Sequence, residues 1–183
     1  MALPANGPNE IKIRVSAISQ LFDPLDPSPM RERDIDVHTH KFVVGWAREL
    51  PREAAFTIVV EAPKEETEKS EALAVGEAFA NYFYSCADDE ERDLRELFRI
   101  GWRSLLIGLV VLVFCLSGSQ ILAKRIQHTM IARVAEESLI IVGWVANWRS
   151  IEIYLYDWWP IRRRIALFRR IAAAPVVVRP IRT

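Results

Sequence analysis

The sequence predicts a small α/β domain followed by an α-helical transmembrane hairpin. Residues 104–123 form a run of 20 residues without a charged side chain, bounded by Arg103 and Lys124, and a helix needs about 20 apolar residues to cross a bilayer. Before that run, a strand, a helix and a second strand follow one another, which predicts a βαβ unit. Charge is also divided, with a net of −8 over residues 1–102 and +8 over residues 103–183. The basic half is therefore the membrane half.

The predicted cytoplasmic domain covers residues 11–102, after a disordered tail at 1–10. Apolar and polar residues alternate over 11–18, as in a half-buried strand. Apolar residues then recur at helical spacing over about 34–50, and a β-branched, apolar run at 55–62 predicts a second strand. We expect these two strands to be parallel, with a right-handed crossover. Since two strands are too few to be stable alone, helices should cover both faces or a second copy should extend the sheet.

A long helix is predicted from about residue 70 to the membrane, with Phe79 and Phe83 on its buried face. An acidic cluster at 88–91 interrupts the apolar pattern. It has two interpretations: Asp88 caps a second helix, or the cluster lies on the exposed face of one continuous helix.

The first span is predicted at 103–123, a connecting loop at 124–137 and a second, weaker span at 138–159, which either crosses fully or re-enters. Arg149 and Glu152 fall near the middle of that second segment and are three residues apart, so they share a helix face and can form an ion pair. Such a pair predicts a functional site in a membrane. The alternatives are an arginine that reaches the interface from a shifted segment, a pair that holds the hairpin or an oligomer together, and an ion or proton path.

Residues 160–183 are predicted to be a basic interfacial helix followed by a tail. The helix is amphipathic and rich in arginine, which suits the headgroup surface of an anionic leaflet. The side chains predicted to contact lipid headgroups are Arg162, Arg163, Arg164, Arg169, Arg170, Trp158 and Trp159.

Lysine and arginine counts predict that both ends are cytoplasmic. Seven arginines lie in 162–183, and Arg99 and Arg103 precede the first span, whereas the connecting loop has three basic residues. Trp102 and Trp158 then fall at the same interface, as an aromatic belt requires.

Two stretches resemble a known family. The run GWVANWRSIEIYLYDWWPIRRR at 143–164 resembles the C-terminal signature of an uncharacterised family of small bacterial two-span inner-membrane proteins, and LFDPLDPSP at 21–29 resembles its N-terminal motif. The resemblance implies a bacterial inner-membrane protein and brings no assigned activity or site residue.

The residues Asp34, Asp36, His38 and His40 are weak candidates for a metal site. IDVHTH looks like a metal-binding strand end of amidohydrolases, but that fold is a barrel of upwards of ~200 residues. The sequence therefore predicts a solvated helix start here, with no metal and no cofactor.

The leading functional prediction is a membrane-anchored interaction or structural protein that presents a small cytoplasmic domain. Its predicted partners are the lipid bilayer and a second copy or another membrane protein, and not nucleic acid, since the soluble part is acidic. The alternative is an oligomeric transporter or pore subunit using Arg149 and Glu152. A small metal-dependent enzyme is third, because it requires a bound metal and a pocket in a very small domain. The lack of a phosphate-binding glycine loop and of a nucleophile elbow counts against nucleotide hydrolysis and serine esterase chemistry.

Overall fold

The computed structural model describes residues 9–51, 53–68, 70–125 and 130–181. They form two compact units, one made of residues up to Glu90 and from Arg163 onwards, here called the α/β unit, and one made of Glu91–Arg162, here called the helical unit. The elements in chain order are β1 (Glu10–Arg14), α1 (Val37–Glu49), β2 (Thr57–Ala62), α2 (Lys64–Thr67), α3 (Ser70–Arg125), α4 (Met130–Val145), α5 (Trp148–Glu152), α6 (Trp158–Ala172) and β3 (Val176–Pro180).

The sheet has three parallel strands in the order β1-β2-β3. Ile58 of β2 pairs with Ile11 on one side and with Val176 on the other, so the predicted parallel strand pair is confirmed. The third strand was not expected, because the sequence analysis assigned it to a tail. The chain's own C-terminal segment supplies this third strand.

One face of the sheet forms the core. Ile11, Ile58 and Val60 are fully buried there, together with side chains from α1, the first part of α3 and α6. The opposite face carries ion pairs instead: Arg14 to Glu61 at 3.0 Å and Arg179 to Glu10 at 3.8 Å. Paired residues of parallel strands point to the same face, so these ion pairs share the second face with Val59, which is also buried.

Helix α1 begins where its sequence predicts. The Asp36 carboxylate accepts hydrogen bonds from the backbone N–H groups of His38 at 2.7 Å and Thr39 at 3.3 Å, which satisfies two of the donors left open at a helix start. Val43 and Ala47 are completely buried one turn apart, as the predicted apolar stripe requires.

Helix α3 is continuous for 56 residues. Of the two interpretations of the acidic cluster, the continuous helix is therefore the observed one. Asp88 and Asp89 are exposed on it, while Oε1 of Glu90 accepts a hydrogen bond at 2.7 Å from Nε of Arg164 on α6. The cluster thus joins two helices of the α/β unit rather than starting a new one.

The segment predicted as a basic interfacial helix is α6, and its apolar side belongs to the α/β unit. Ile165, Phe168 and Ile171 are buried, and the Phe168 ring lies 6.2 Å from that of Phe83 on α3. The apolar side of α6 is therefore covered by protein, whereas contact of its arginines with lipid headgroups stays a prediction.

Candidate membrane-facing surface

The helical unit is built on close contacts between α3 and the helices that follow it. A methyl group at Gly108 would lie 2.6 Å from Oδ1 of Asn147, and one at Gly143 would lie 2.7 Å from Cδ1 of Leu112. Gly108 precedes Leu112 along α3, whereas their contact partners Asn147 and Gly143 occur in the reverse order. The two helices are therefore antiparallel. Glycine at these crossings lets two backbones approach closely, as in membrane helix pairs.

Asn147 lies between α4 and α5 and bridges the two sides of this contact. Its Nδ2 donates to the carbonyl oxygens of Gly108 at 3.1 Å and Gly143 at 3.0 Å, and the residue is only 9% exposed. Because α4 ends in a turn here, some of its backbone groups lose helical partners. The Asn147 side chain therefore links the turn between α4 and α5 to the backbone of α3.

Many large apolar side chains of this unit are exposed. Among the described residues, one helix, Ala72–Ile121, is long and apolar enough to cross a membrane, and only 17% of its most apolar stretch is buried. A core helix of a soluble protein would be mostly buried. Among the described residues, the exposed large apolar side chains of the unit are Phe98, Ile100, Trp102, Leu106, Ile107, Leu109, Val110, Val113, Phe114, Leu116, Ile121, Met130, Val134, Ile141, Val142, Trp144, Val145, Trp148, Tyr154, Leu155, Tyr156 and Trp159.

Arg149 and Glu152 lie together, and a third charged residue joins them. Arg149 Nη1 is 3.3 Å from Oε2 of Glu152 and 3.0 Å from Oδ2 of Asp157, and Nε1 of Trp148 donates to Oε1 of Glu152 at 3.1 Å. The guanidinium is thereby neutralised by two carboxylates. The sequence placed Asp157 only at the end of the segment and gave it no partner.

The antiparallel contacts also fix the level of this cluster along α3. Arg149 and Glu152 lie between Asn147, which faces Gly108, and Ile153, which would be 2.9 Å from a methyl group at Gly101. The cluster is therefore level with residues 101–108, at the beginning of the uncharged run that starts at 104. Position within the segment 138–159 had suggested its middle; the packing against α3 puts the charges at one end of the apolar surface.

The turn between α5 and α6 is irregular, and Pro160 accounts for this irregularity. Between α5 and α6 the turn Ile153–Asp157 is π-helical, and a proline at 160 has no N–H to donate to the carbonyl four residues earlier. Nε1 of Trp158 donates to the Tyr154 carbonyl at 2.9 Å. The Arg162 guanidinium lies 5.3 Å from the Trp158 ring, within cation–π range.

The other arginines predicted to contact lipid are engaged inside the α/β unit. Arg164 pairs with Glu90, and Arg170 donates to the carbonyl of Ala54 at 3.3 Å and covers the Phe56 ring at 4.9 Å. Arg163 and Arg169 also make contacts. Of the predicted set, Arg162, Trp158 and Trp159 belong to the helical unit or its boundary, where headgroup contact stays a prediction.

The Asp/His candidates do not converge. Asp36 caps α1, His38 is exposed, and the backbone of Asp34 bonds to the loop that precedes it. Among the described residues, no group of three or more His, Cys, Asp and Glu side chains is arranged to hold a metal ion. His128, the remaining histidine, lies outside the described residues.

His40 has an aromatic environment instead. Its ring stacks on Phe83 at 5.6 Å and meets Tyr82 edge to face at 5.7 Å, and its Nδ1 is buried without a hydrogen-bond partner. Burial lowers the pKa of His40, with a smaller contribution from Arg48. Burial likewise raises the pKa of the Cys86 thiol nearby, so this thiol is not activated as a nucleophile.

Sequence reasoning missed Gly108, Gly143 and Asn147 as the residues that join the helices. The signal was present, since small and amide residues inside uncharged segments mark helix crossings in membranes. It did not show which helix each would meet.

No family model matches the chain, and neither the curated proteins nor the solved structures contain a match.

Proposed function

We propose that this chain is an integral membrane protein that holds a small α/β domain at the membrane surface through a helical hairpin, and that it acts as an interaction or structural protein. One observation carries the proposal: α3 buries Phe79 and Phe83 in the α/β core and then exposes an uncharged run of which little is buried. A helix surface of this kind is unstable in water and stable in lipid.

The sheet supports an even number of crossings. Strands β1 and β2 precede the apolar run and β3 follows it, yet all three pair in one sheet. The two flanks of the run must then lie on the same side of any membrane, since backbone pairing across a bilayer is impossible. If α3 crosses, the chain crosses back before Arg163; otherwise the hairpin enters and leaves from one side.

The proposed location is a bacterial inner membrane, with both ends cytoplasmic. The support is the excess of arginine near the ends of the apolar run and the sequence resemblance. The proposed partners are the bilayer and, through the exposed hairpin, a second copy or another membrane protein. The level of the Arg149 cluster at one end of the apolar surface disfavours a continuous charged path for ions.

Extraction and cysteine labelling test this proposal on the full chain. In a variant without Cys86 and Cys115, single cysteines are introduced as Leu25→Cys, Gln127→Cys and Thr183→Cys, and a membrane-impermeant thiol reagent is applied to spheroplasts and to inverted vesicles. We expect the protein to stay in the membrane at alkaline pH in carbonate, with positions 25 and 183 labelled only in inverted vesicles.

Release by carbonate would contradict membrane integration, and labelling of 25 and 183 from opposite sides would contradict the even crossing. Position 127 separates the two forms of hairpin. Labelling in spheroplasts indicates two full crossings, whereas protection there indicates re-entry.

A further inference from the structure

Two arginines of the helical unit stand apart from the others. Arg149 is neutralised by two carboxylates, Arg162 covers Trp158, and Nε of Arg95 donates to the Glu91 carbonyl. Arg99 and Arg103 are exposed, and within the part of the chain that the structure describes, neither side chain makes an ion pair, hydrogen bond or ring contact. Among the described residues, no carboxylate forms an ion pair with either of these two positive charges.

These arginines share a face of α3 with an apolar stripe. They are four residues apart, so they are neighbours on the helix surface, and the same face continues through Ile107, Val110 and Phe114. Each of these three side chains is more than half exposed. The face is thus cationic at one end and apolar for the next three turns.

We propose that this face binds an anionic phospholipid, with the headgroup phosphate between Arg99 and Arg103 and an acyl chain along Ile107, Val110 and Phe114. The lengths agree: 11 residues separate Arg103 from Phe114, which at about 1.5 Å per residue is about 16 Å, close to half of a hydrocarbon core of about 30 Å. The stripe therefore has the length of one leaflet. Free phosphate would leave it uncovered, which is why the occupant is a lipid.

This inference rests on the proposed membrane function. The contribution of the two arginine charges to lipid binding can be given a magnitude. Each arginine near an anionic leaflet strengthens binding by about fivefold. Replacing both should therefore weaken retention of an anionic lipid by about 30-fold. Arg95 offers a matched control, because Arg95→Gln removes the same charge one turn farther from the apolar run.

The experiment is native mass spectrometry of the full chain released from detergent, titrated separately with phosphatidylglycerol, phosphatidylcholine and inorganic phosphate. We expect wild-type protein and Arg95→Gln to retain phosphatidylglycerol in preference to phosphatidylcholine, and the double variant Arg99→Gln with Arg103→Gln to lose that preference. Phe114→Ser should weaken retention of the lipid while leaving its headgroup preference unchanged.

Equal retention of both lipids by wild-type protein would overturn the inference, as would unchanged retention by the double variant or an equal loss in Arg95→Gln. Displacement of the lipid by millimolar inorganic phosphate would overturn the acyl-chain part. A protein that floats with membranes and resists carbonate but lacks the lipid preference keeps the proposed function and loses only this inference. Failure to float would contradict the proposed function itself.

Discussion

The two units use the same helix in opposite ways. In the α/β unit the Phe83 side chain of α3 is fully buried, whereas in the helical unit the Phe114 side chain of the same helix is 75% exposed. The first unit completes its own core with β3 and α6. The second leaves its apolar side chains outward and buries glycine, asparagine and serine where helices meet. The buried core and the exposed apolar surface therefore differ less in composition than in whether the apolar or the polar side chains of the helix are buried.

The largest expected effect breaks the soluble core. Phe83→Ala removes a ring that packs on His40, Phe79 and Phe168, and should lower the free energy of unfolding of the α/β unit by about 3–5 kcal/mol. Phe114→Ala is the matched control on the exposed part of α3 and should change it by less than about 0.5 kcal/mol. Denaturant unfolding of the detergent-solubilised chain measures both. Similar losses in the two variants would mean that Phe114 is also part of a packed core.

The next effect tests helix contact in the other unit. A methyl group at Gly108 meets the Asn147 side chain at 2.6 Å, whereas one at Gly118 meets Leu139 at 3.8 Å. Gly108→Ala should therefore destabilise the helical unit by about 1–3 kcal/mol through overpacking. Thermal unfolding in detergent, followed by tryptophan fluorescence, provides the comparison with Gly118→Ala. Equal tolerance of both substitutions would contradict the close approach at Gly108.

A pH titration sharpens the description of the α/β core. Burial lowers the folded-state pKa of His40 below its ordinary value of 6.5, so the unfolded chain takes up this proton at higher pH than the folded one. Stability from neutral His40 is fully present above about pH 6.5 and falls as the pH drops toward the folded-state value, by at most about 1.4 kcal/mol per pH unit.

His40→Gln should flatten the fall in stability between pH 7.5 and 5, measured by chemical unfolding. His38→Gln is the control, because His38 is exposed on the same helix and should leave the curve unchanged. A curve that keeps its slope in His40→Gln would assign the acid sensitivity to other groups.

The smallest effect concerns the exposed charges. A double-mutant cycle between Arg149→Gln and Asp157→Asn should give a coupling of about 0.5 kcal/mol, since the pair is partly exposed. The cycle with Glu152→Gln should be smaller, because its contact is longer. Thermal unfolding in detergent and in lipid nanodiscs supplies the values. A coupling of several kcal/mol would indicate that this cluster is buried in the bilayer or in an oligomer.

Local patterns in the sequence predicted much of the fold. Alternation predicted β1, the apolar stripe through Val43 and Ala47 predicted α1, and the uncharged run predicted the exposed part of α3. These signals concern residues a few positions apart, where period and capping determine the structure.

Long-range pairings were not predictable in the same way. Val176–Val178 are β-branched, but the identity of β3 as a strand depends on Ile58, more than a hundred positions earlier. The apolar side of α6 was visible, yet periodicity does not distinguish lipid from Phe83 as its cover. In the candidate surface, the ion pair of Arg149 with Glu152 followed from spacing, whereas the contact with Asp157 depended on the π-helical turn.

The pairing of β3 with β2 has a consequence for biosynthesis. At about 5–20 residues per second, a ribosome needs about 5–25 s after completing β2 to complete β3, and the apolar hairpin emerges during that interval. The first two strands therefore wait with an open edge until β3 has been made. Under the proposed function, a chain whose return segment ended on the wrong side of the membrane could not close the sheet, and its unpaired strand edge would stay open to pairing with other chains. Completion of the sheet would then report correct insertion.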